Sequence, residues 1–224
     1  MRILVLDAGL ARSAVAFVAD GAVVAQSLMP GGRGHPAALA PMVRDVCAAA
    51  GVAPGQVDAV AVTVGPGSFT GLRAAISLAH GLAAAAGCQV VAVSVAEALS
   101  EALADERPHL GGRALWVALD SRRGRVFLQR PSHPLESVAL DSLPLSDRPM
   151  AVAGDAAVSV AAWLAARGEN VMLTSARLPA PRYIAKAALR RLEGGLPPLA
   201  AQPLYVDPPE AKLPAGGLRP APVG

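Results

Sequence analysis

The stretch that most constrains this chain runs from Val60 to Gly87, VAVTVGPGSFTGLRAAISLAHGLAAAAG: a short apolar run, a glycine and proline turn, then a long alanine-rich segment. It reads as strand, tight loop and helix. Gly65, Pro66 and Gly67 allow backbone angles that other residues resist, and Ser68 or Thr70 can cap the helix with a hydroxyl. A phosphate-cradling P-loop needs lysine followed by Ser or Thr after its second glycine, whereas Gly71 is followed by Leu72 and Arg73. A nucleophile elbow needs glycines two residues either side of Ser68, where Pro66 and Thr70 stand. On residue chemistry alone, a strand-to-helix turn whose glycines admit close packing is favoured over either.

Within the predicted helix, Gly67, Gly71, Ala75, Ala79 and Ala83 recur every four residues and make a narrow smooth stripe, with Leu72, Ile76 and Leu82 beside it. Such a stripe can pack on the chain's own sheet. It can also, with Arg73 and His80 nearby, meet a partner's helix, and periodicity does not separate the two.

The pattern G-P-G-S-F-T-G-L-R after a short apolar strand resembles the signature of the TsaB (YeaZ) family of bacterial tRNA threonylcarbamoyladenosine biosynthesis subunits. Two further segments extend the resemblance: Leu119 to Phe127, LDSRRGRVF, is similar to the family's L-D-A-R-R-G-E-V-Y, and Pro203 to Lys212, PLYVDPPEAK, to its closing P-x-Y-x-R-P-x-x-A-K. Asp207 stands where the family has arginine, which puts a tail contact to an acidic partner in doubt. Val152-Ala153-Gly154-Asp155 resembles a G-D-G segment whose second glycine is Ala156 here.

The resemblance implies an α/β fold of the actin-like ATPase and sugar kinase (ASKHA) type, with two lobes of mixed sheet flanked by helices and the second lobe reduced. It implies a non-catalytic scaffold that pairs with the catalytic subunit TsaD, joined by the ATPase TsaE, in making N6-threonylcarbamoyladenosine at position 37 of tRNAs reading codons that begin with A. TsaD carries the metal, tRNA comes through the complex, and ATP enters only at the level of that complex. The implied pairing surface, shared by TsaD or a second copy of the chain, lies on two helices. One offers His35, Leu39, Met42, Val43 and Val46; the other offers Phe69, Leu72, Arg73, Ala75, Ile76, Ala79 and His80.

The remaining residues are consistent with these expectations where they speak. Ile3 to Leu6, Ser13 to Ala19 and Ala22 to Ser27 read as strands, with Asp20-Gly21 a hairpin turn. In actin-like ATPases the first turn grips phosphate through an acid, a glycine and hydroxyls. Here it reads Asp7-Ala8-Gly9-Leu10, without the hydroxyls, so Asp7 and Gly9 are the only cofactor candidates and weak ones. An ATP-dependent phosphotransferase of the same fold is the rival reading, and it lacks that hydroxyl-rich turn. His35, His80, His109 and His133 are isolated and none forms an HxxxH pair, so no metal or catalytic set is expected.

Pro36 begins a helix whose apolar positions fall at helical spacing to Ala50, with Gly51 ending it. Gln89 to Ser94 and a helix from Val95 to Ala104 complete a first lobe, residues 1–106. A second lobe spans 107–202, with strands at Ala114, Val126, Met150 and Val171 and helices after Asp155 and near Arg182. A proline-rich tail, 203–224, closes the chain. Hydrophobic residues make up 53% of 224, which requires a globular fold. Net charge is +3 with scattered arginines and 3% aromatics, which gives little support to direct nucleic-acid binding. Cys47 and Cys88 show no CxxC spacing and read as reduced, small apolar residues; with no leader and no run of about 20 apolar residues, a cytoplasmic location is expected.

Overall fold

The computed structural model describes residues 1–31 and 36–206. β1 (Arg2–Asp7), β2 (Arg12–Ala19) and β3 (Ala22–Pro30) form an antiparallel meander. Its first turn back is made by Asp20 and Gly21, both at positive φ, as the Asp-Gly pair predicts. A short 3-10 turn over Pro36–Ala38 leads into α1 (Leu39–Ala49). Then come β4 (Ala59–Gly65), α2 (Phe69–Ala86), β5 (Gln89–Ser94) and α3 (Val95–Glu106). β1 pairs in parallel with β4, and β4 with β5, giving the order β3-β2-β1-β4-β5.

The second half repeats this plan. β6 (Ala114–Asp120), β7 (Arg125–Gln129) and β8 (Glu136–Ala139) are an antiparallel meander; β9 (Met150–Ala153) and β10 (Val171–Leu173) add in parallel, with α4 (Ala157–Ala165) between them and α5 (Pro181–Leu192) after. The order β8-β7-β6-β9-β10 matches the first sheet strand for strand. The position of α1 in this second copy holds only a turn over Leu140–Ser142, so the second lobe is the reduced one.

Both central strands read as nearly continuous apolar runs because both sheet faces are covered. On one face of the first sheet, Leu4, Leu6, Val60 and Val62 pack against Leu39, Met42, Val46, Leu72 and Ala79 of α1 and α2. On the other face, Ile3, Val5, Ala16 and Val18 pack against Ile184, Ala185 and Ala188. These last belong to α5, which the sequence assigns by order to the second lobe. Reciprocally, Val95, Leu99 and Leu103 of α3 pack on Val117, Leu119, Ala151 and Ala153 of the second sheet. An apolar stripe states that a helix must be covered, not which sheet covers it, and chain order misplaces both helices here.

A ladder of charge ties the exchanged pair together. Glu97 takes Arg191, the buried Glu101 takes Arg190 and Lys186, and Asp105 takes Lys186 at 2.5 Å. The acids stand four residues apart on α3, so one face of the helix presents all three. Among the described residues no helix is long and apolar enough to cross a membrane.

Candidate partner-binding surface

Asp7 ends β1 and is 1% exposed; its Oδ1 accepts from Gly9 N at 3.0 Å and from the Thr63 hydroxyl of β4. Burial pushes the carboxyl above the ordinary carboxylate range, opposed by the Thr63 and Gly9 hydrogen bonds and the Arg12 charge. The loop before α2 lies directly on this turn. A Cβ at Gly67 would stand 2.1 Å from the Gly9 carbonyl oxygen, and one at Gly71 2.1 Å from that of Ala8, so only glycine fits at either. Ser68 N donates to the Gly9 oxygen, and Gly71 N donates to Ser68 Oγ at 3.2 Å, which makes Ser68 the helix cap. The first-turn amides that would receive a phosphate are thus met by the chain's own carbonyl and hydroxyl. Asp7 and Gly9 act here as a brace between β1, β4 and α2.

The second lobe carries the same brace. Asp120 ends β6 and accepts from Arg122 N at 2.8 Å, Asp155 accepts from Asp120 N at 2.9 Å, and a Cβ at Gly154 would stand 2.0 Å from the Ala118 carbonyl oxygen. Among the described residues no His, Cys, Asp and Glu group has the arrangement of a metal site.

Most of the helical candidates are in the chain's own core. Leu39, Met42, Val43 and Val46 of α1 and Leu72, Ala75, Ile76 and Ala79 of α2 are at most 6% exposed. The four-residue stripe therefore faces β4 and β1, because closeness to backbone is what its small side chains permit. His35 lies outside the described residues. Phe69, Arg73 and His80 are exposed, along one flank of α2.

A different smooth face of α2 is turned outward. Thr70, Ala74, Ser77, Gly81 and Ala84 follow one another at spacings of four, three, four and three, the repeat that keeps one helical edge in register with another helix. All are exposed except the half-buried Ala74. This second set was equally written in the sequence, but in a segment with small residues on every side it does not stand out. Beside it, between α1 and α2, runs an apolar groove of about 410 Å³ lined by Val43, Cys47, Val52, Pro54, Leu78 and Leu82. On the opposite flank the chain after α5 returns as a strap. Leu204 N donates to Val64 O at 2.7 Å, His80 Nε2 donates to Ala201 O at 3.1 Å, and Arg73 Nη2 donates to the Tyr205 hydroxyl at 2.8 Å.

Two lobes of one strand order, each braced at the end of its first strand and exchanging their last helices, define an actin-like two-lobed protein of the ASKHA class. A ROK family protein from Streptococcus pneumoniae, in complex with sucrose, shares that fold at 9% identity and TM-score 0.51, over 88% of this chain and 100% of that one. YeaZ from Pseudomonas aeruginosa superposes with TM-score 0.71 at 26% identity, over 91% of this chain and 99% of that one. The tRNA threonylcarbamoyladenosine biosynthesis protein TsaB of Escherichia coli K12 is 34% identical over 128 residues, 57% of this chain and 53% of that protein, so the match spans about half of the relative's length. Residues 29–187 match the family model described as TsaD, tRNA N6-adenosine threonylcarbamoyltransferase. The chain belongs to this threonylcarbamoyladenosine biosynthesis family, on its TsaB/YeaZ branch.

Proposed function

We propose that this chain is the non-catalytic partner subunit of a tRNA threonylcarbamoyltransferase, pairing with a TsaD-type subunit, and with a TsaE-type ATPase in the assembly, for N6-threonylcarbamoyladenosine at position 37 of tRNAs reading codons that begin with A. The observation that carries this reading is the outward face of α2. Thr70, Ala74, Ser77, Gly81 and Ala84 stand in heptad register on a face that no other element covers among the described residues, and their small side chains let a second helix come close. The groove between α1 and α2 adds apolar sockets beside that face. ATP-dependent phosphotransfer is disfavoured because the loop before α2 stands against the turn where a phosphate would sit.

Pairing is tested by size exclusion and calorimetry with the cognate TsaD-type subunit. Ser77→Glu places a charge on the exposed face without touching the core. We expect it to abolish the complex while circular dichroism stays that of the wild type. Normal pairing by Ser77→Glu would move the surface elsewhere. ATP binding by the isolated chain at micromolar affinity would restore the phosphotransferase reading. A charge at Ala75 or Ala79 does not serve as such a test, because both are fully buried and the substitution acts on folding first.

A further inference from the structure

The turn that ends β1 and the first turn of α2 meet backbone on backbone. A Cβ at Gly71 would stand 2.1 Å from the Ala8 carbonyl oxygen, and one at Gly67 the same distance from that of Gly9. The closest contacts that carbon and a carbonyl oxygen ordinarily make run at about 3.3–3.6 Å, so a side chain at Gly71 demands that the two backbones part by about 1 Å. The turn cannot supply that movement. Ala8 is fully buried, β1 is the central strand of the first sheet, and Asp7 Oδ1 holds Gly9 N and the Thr63 hydroxyl at once. Nor can the body of α2, whose Ala75, Ala79 and Ala83 are packed in the core at 2% exposure or less. The displacement falls on the start of the helix, which tilts outward. Thr70 and Ala74, one residue before Gly71 and three after it, open the outward face there.

We infer that Gly71, with Ser68 as the helix cap, is a positioning residue of the partner interface: it sets the height and tilt at which α2 presents Thr70, Ala74 and Ser77 to a TsaD-type subunit. Gly71 itself is buried, so its action is through those neighbours. The inference rests on the pairing reading above and goes beyond it, because it places control of the interface inside the molecule, at the turn that ends β1. Small side chains hold a second helix by close approach, and a gap of about 0.5–1 Å forfeits roughly a quarter to a half of each dispersion contact. A tilt of the size that Gly71 prevents is therefore enough to disengage the near end of the face. Ser68 fixes the same turn from the loop side. Its N–H donates to the Gly9 oxygen, and its Oγ accepts from Gly71 N at 3.2 Å. Losing that cap frees the turn that carries Thr70.

The test uses the full chain and calorimetry with the purified TsaD-type subunit. Gly71→Ala is expected to weaken pairing at least tenfold while the far-ultraviolet spectrum stays that of the wild type. Ser68→Ala is expected to weaken it severalfold, and Ser68→Thr, which keeps a capping hydroxyl, to restore it. Ile184→Ala separates position from stability: it acts from the opposite face of the first sheet, should lower the thermal midpoint, and should pair as the wild type does. Should Gly71→Ala fail to fold, the contrast between Ser68→Ala and Ser68→Thr decides alone. Wild-type affinity in either Gly71→Ala or Ser68→Ala, with Ser77→Glu still unable to pair, would overturn the positioning role and leave the pairing surface intact. Wild-type affinity in all three would remove the pairing surface as well. If Ile184→Ala lost pairing to the same degree as Gly71→Ala, affinity would be following stability and the inference would fall.

Discussion

Asp7 shows how one side chain can keep a position while serving another purpose. It stands at the end of β1 with a glycine turn beside it, yet its oxygen is spent on Thr63 and Gly9. A carboxyl whose pKa is raised by burial holds its proton more tightly in the folded than in the unfolded chain. Its contribution to stability therefore falls as pH rises from the unfolded value through the folded one, and the cost of burying the charge is present in full only above the folded value. Asp7→Asn keeps an oxygen that accepts both hydrogen bonds. We expect it to melt above the wild type at pH 7, with the difference closing below about pH 4, where both states of the wild-type carboxyl are protonated. A variant that melts lower at pH 7 would show that the Arg12 attraction outweighs desolvation. Much of this brace was legible beforehand: the acid, the glycines and the missing hydroxyls are plain in the sequence. Not legible was how close the backbone of the two turns would come, since Gly67 and Gly71 report a need for space without naming what fills it.

At the scale of elements, α2 carries two small-residue stripes, and burial decides between them. The stripe through Ala75 and Ala79 meets the sheet, and the stripe through Ser77 and Gly81 meets whatever lies outside. The first is marked by strict helical periodicity; the second alternates steps of four and three and is set apart only by its exposure. Phe69, Arg73 and His80 were marked from the sequence, but Tyr205 was not, because 125 residues separate it from His80 and no local pattern links them. α3 and α5 likewise declare their apolar faces in sequence, while their mutual ladder of ion pairs depends on a packing that no window contains. Glu101 is its central rung, with a side chain 5% exposed against partners that are 42% and 47% exposed. Removing one member of a fully buried pair costs about 3–5 kcal/mol; with Lys186 and Arg190 able to turn to water, Glu101→Ala is expected to cost about 2 kcal/mol in urea unfolding. A loss near zero would mean that solvent already screens the rung.

For the molecule as a whole, the exchange of helices is what binds the lobes. Trp116 is buried in the second lobe and Trp163 packs against the same core, so tryptophan fluorescence reports on that lobe alone. Ile184, fully buried in α5, packs on the first sheet. Ile184→Ala is expected to cost about 3 kcal/mol and to lower the midpoint by roughly 10 °C. The tryptophan signal should move with the far-ultraviolet signal by the same amount. Separate midpoints would show two lobes that melt independently, against the interlocked core described above. The two-lobed plan itself was readable from the alternation of strand and helix and from the glycine-rich turns. The crossing was not, because chain order is the one cue a sequence offers for lobe membership and here it points the wrong way.

The crossing has a consequence during synthesis. Ile3 and Val5 are made long before Pro181, yet their cover on one side is the helix that starts there. A growing chain that has finished its first sheet still shows water a greasy surface, and it must hold that surface unsatisfied while the whole second sheet is laid down. Maturation of the first lobe is therefore timed by the emergence of a helix that is translated after the whole second sheet.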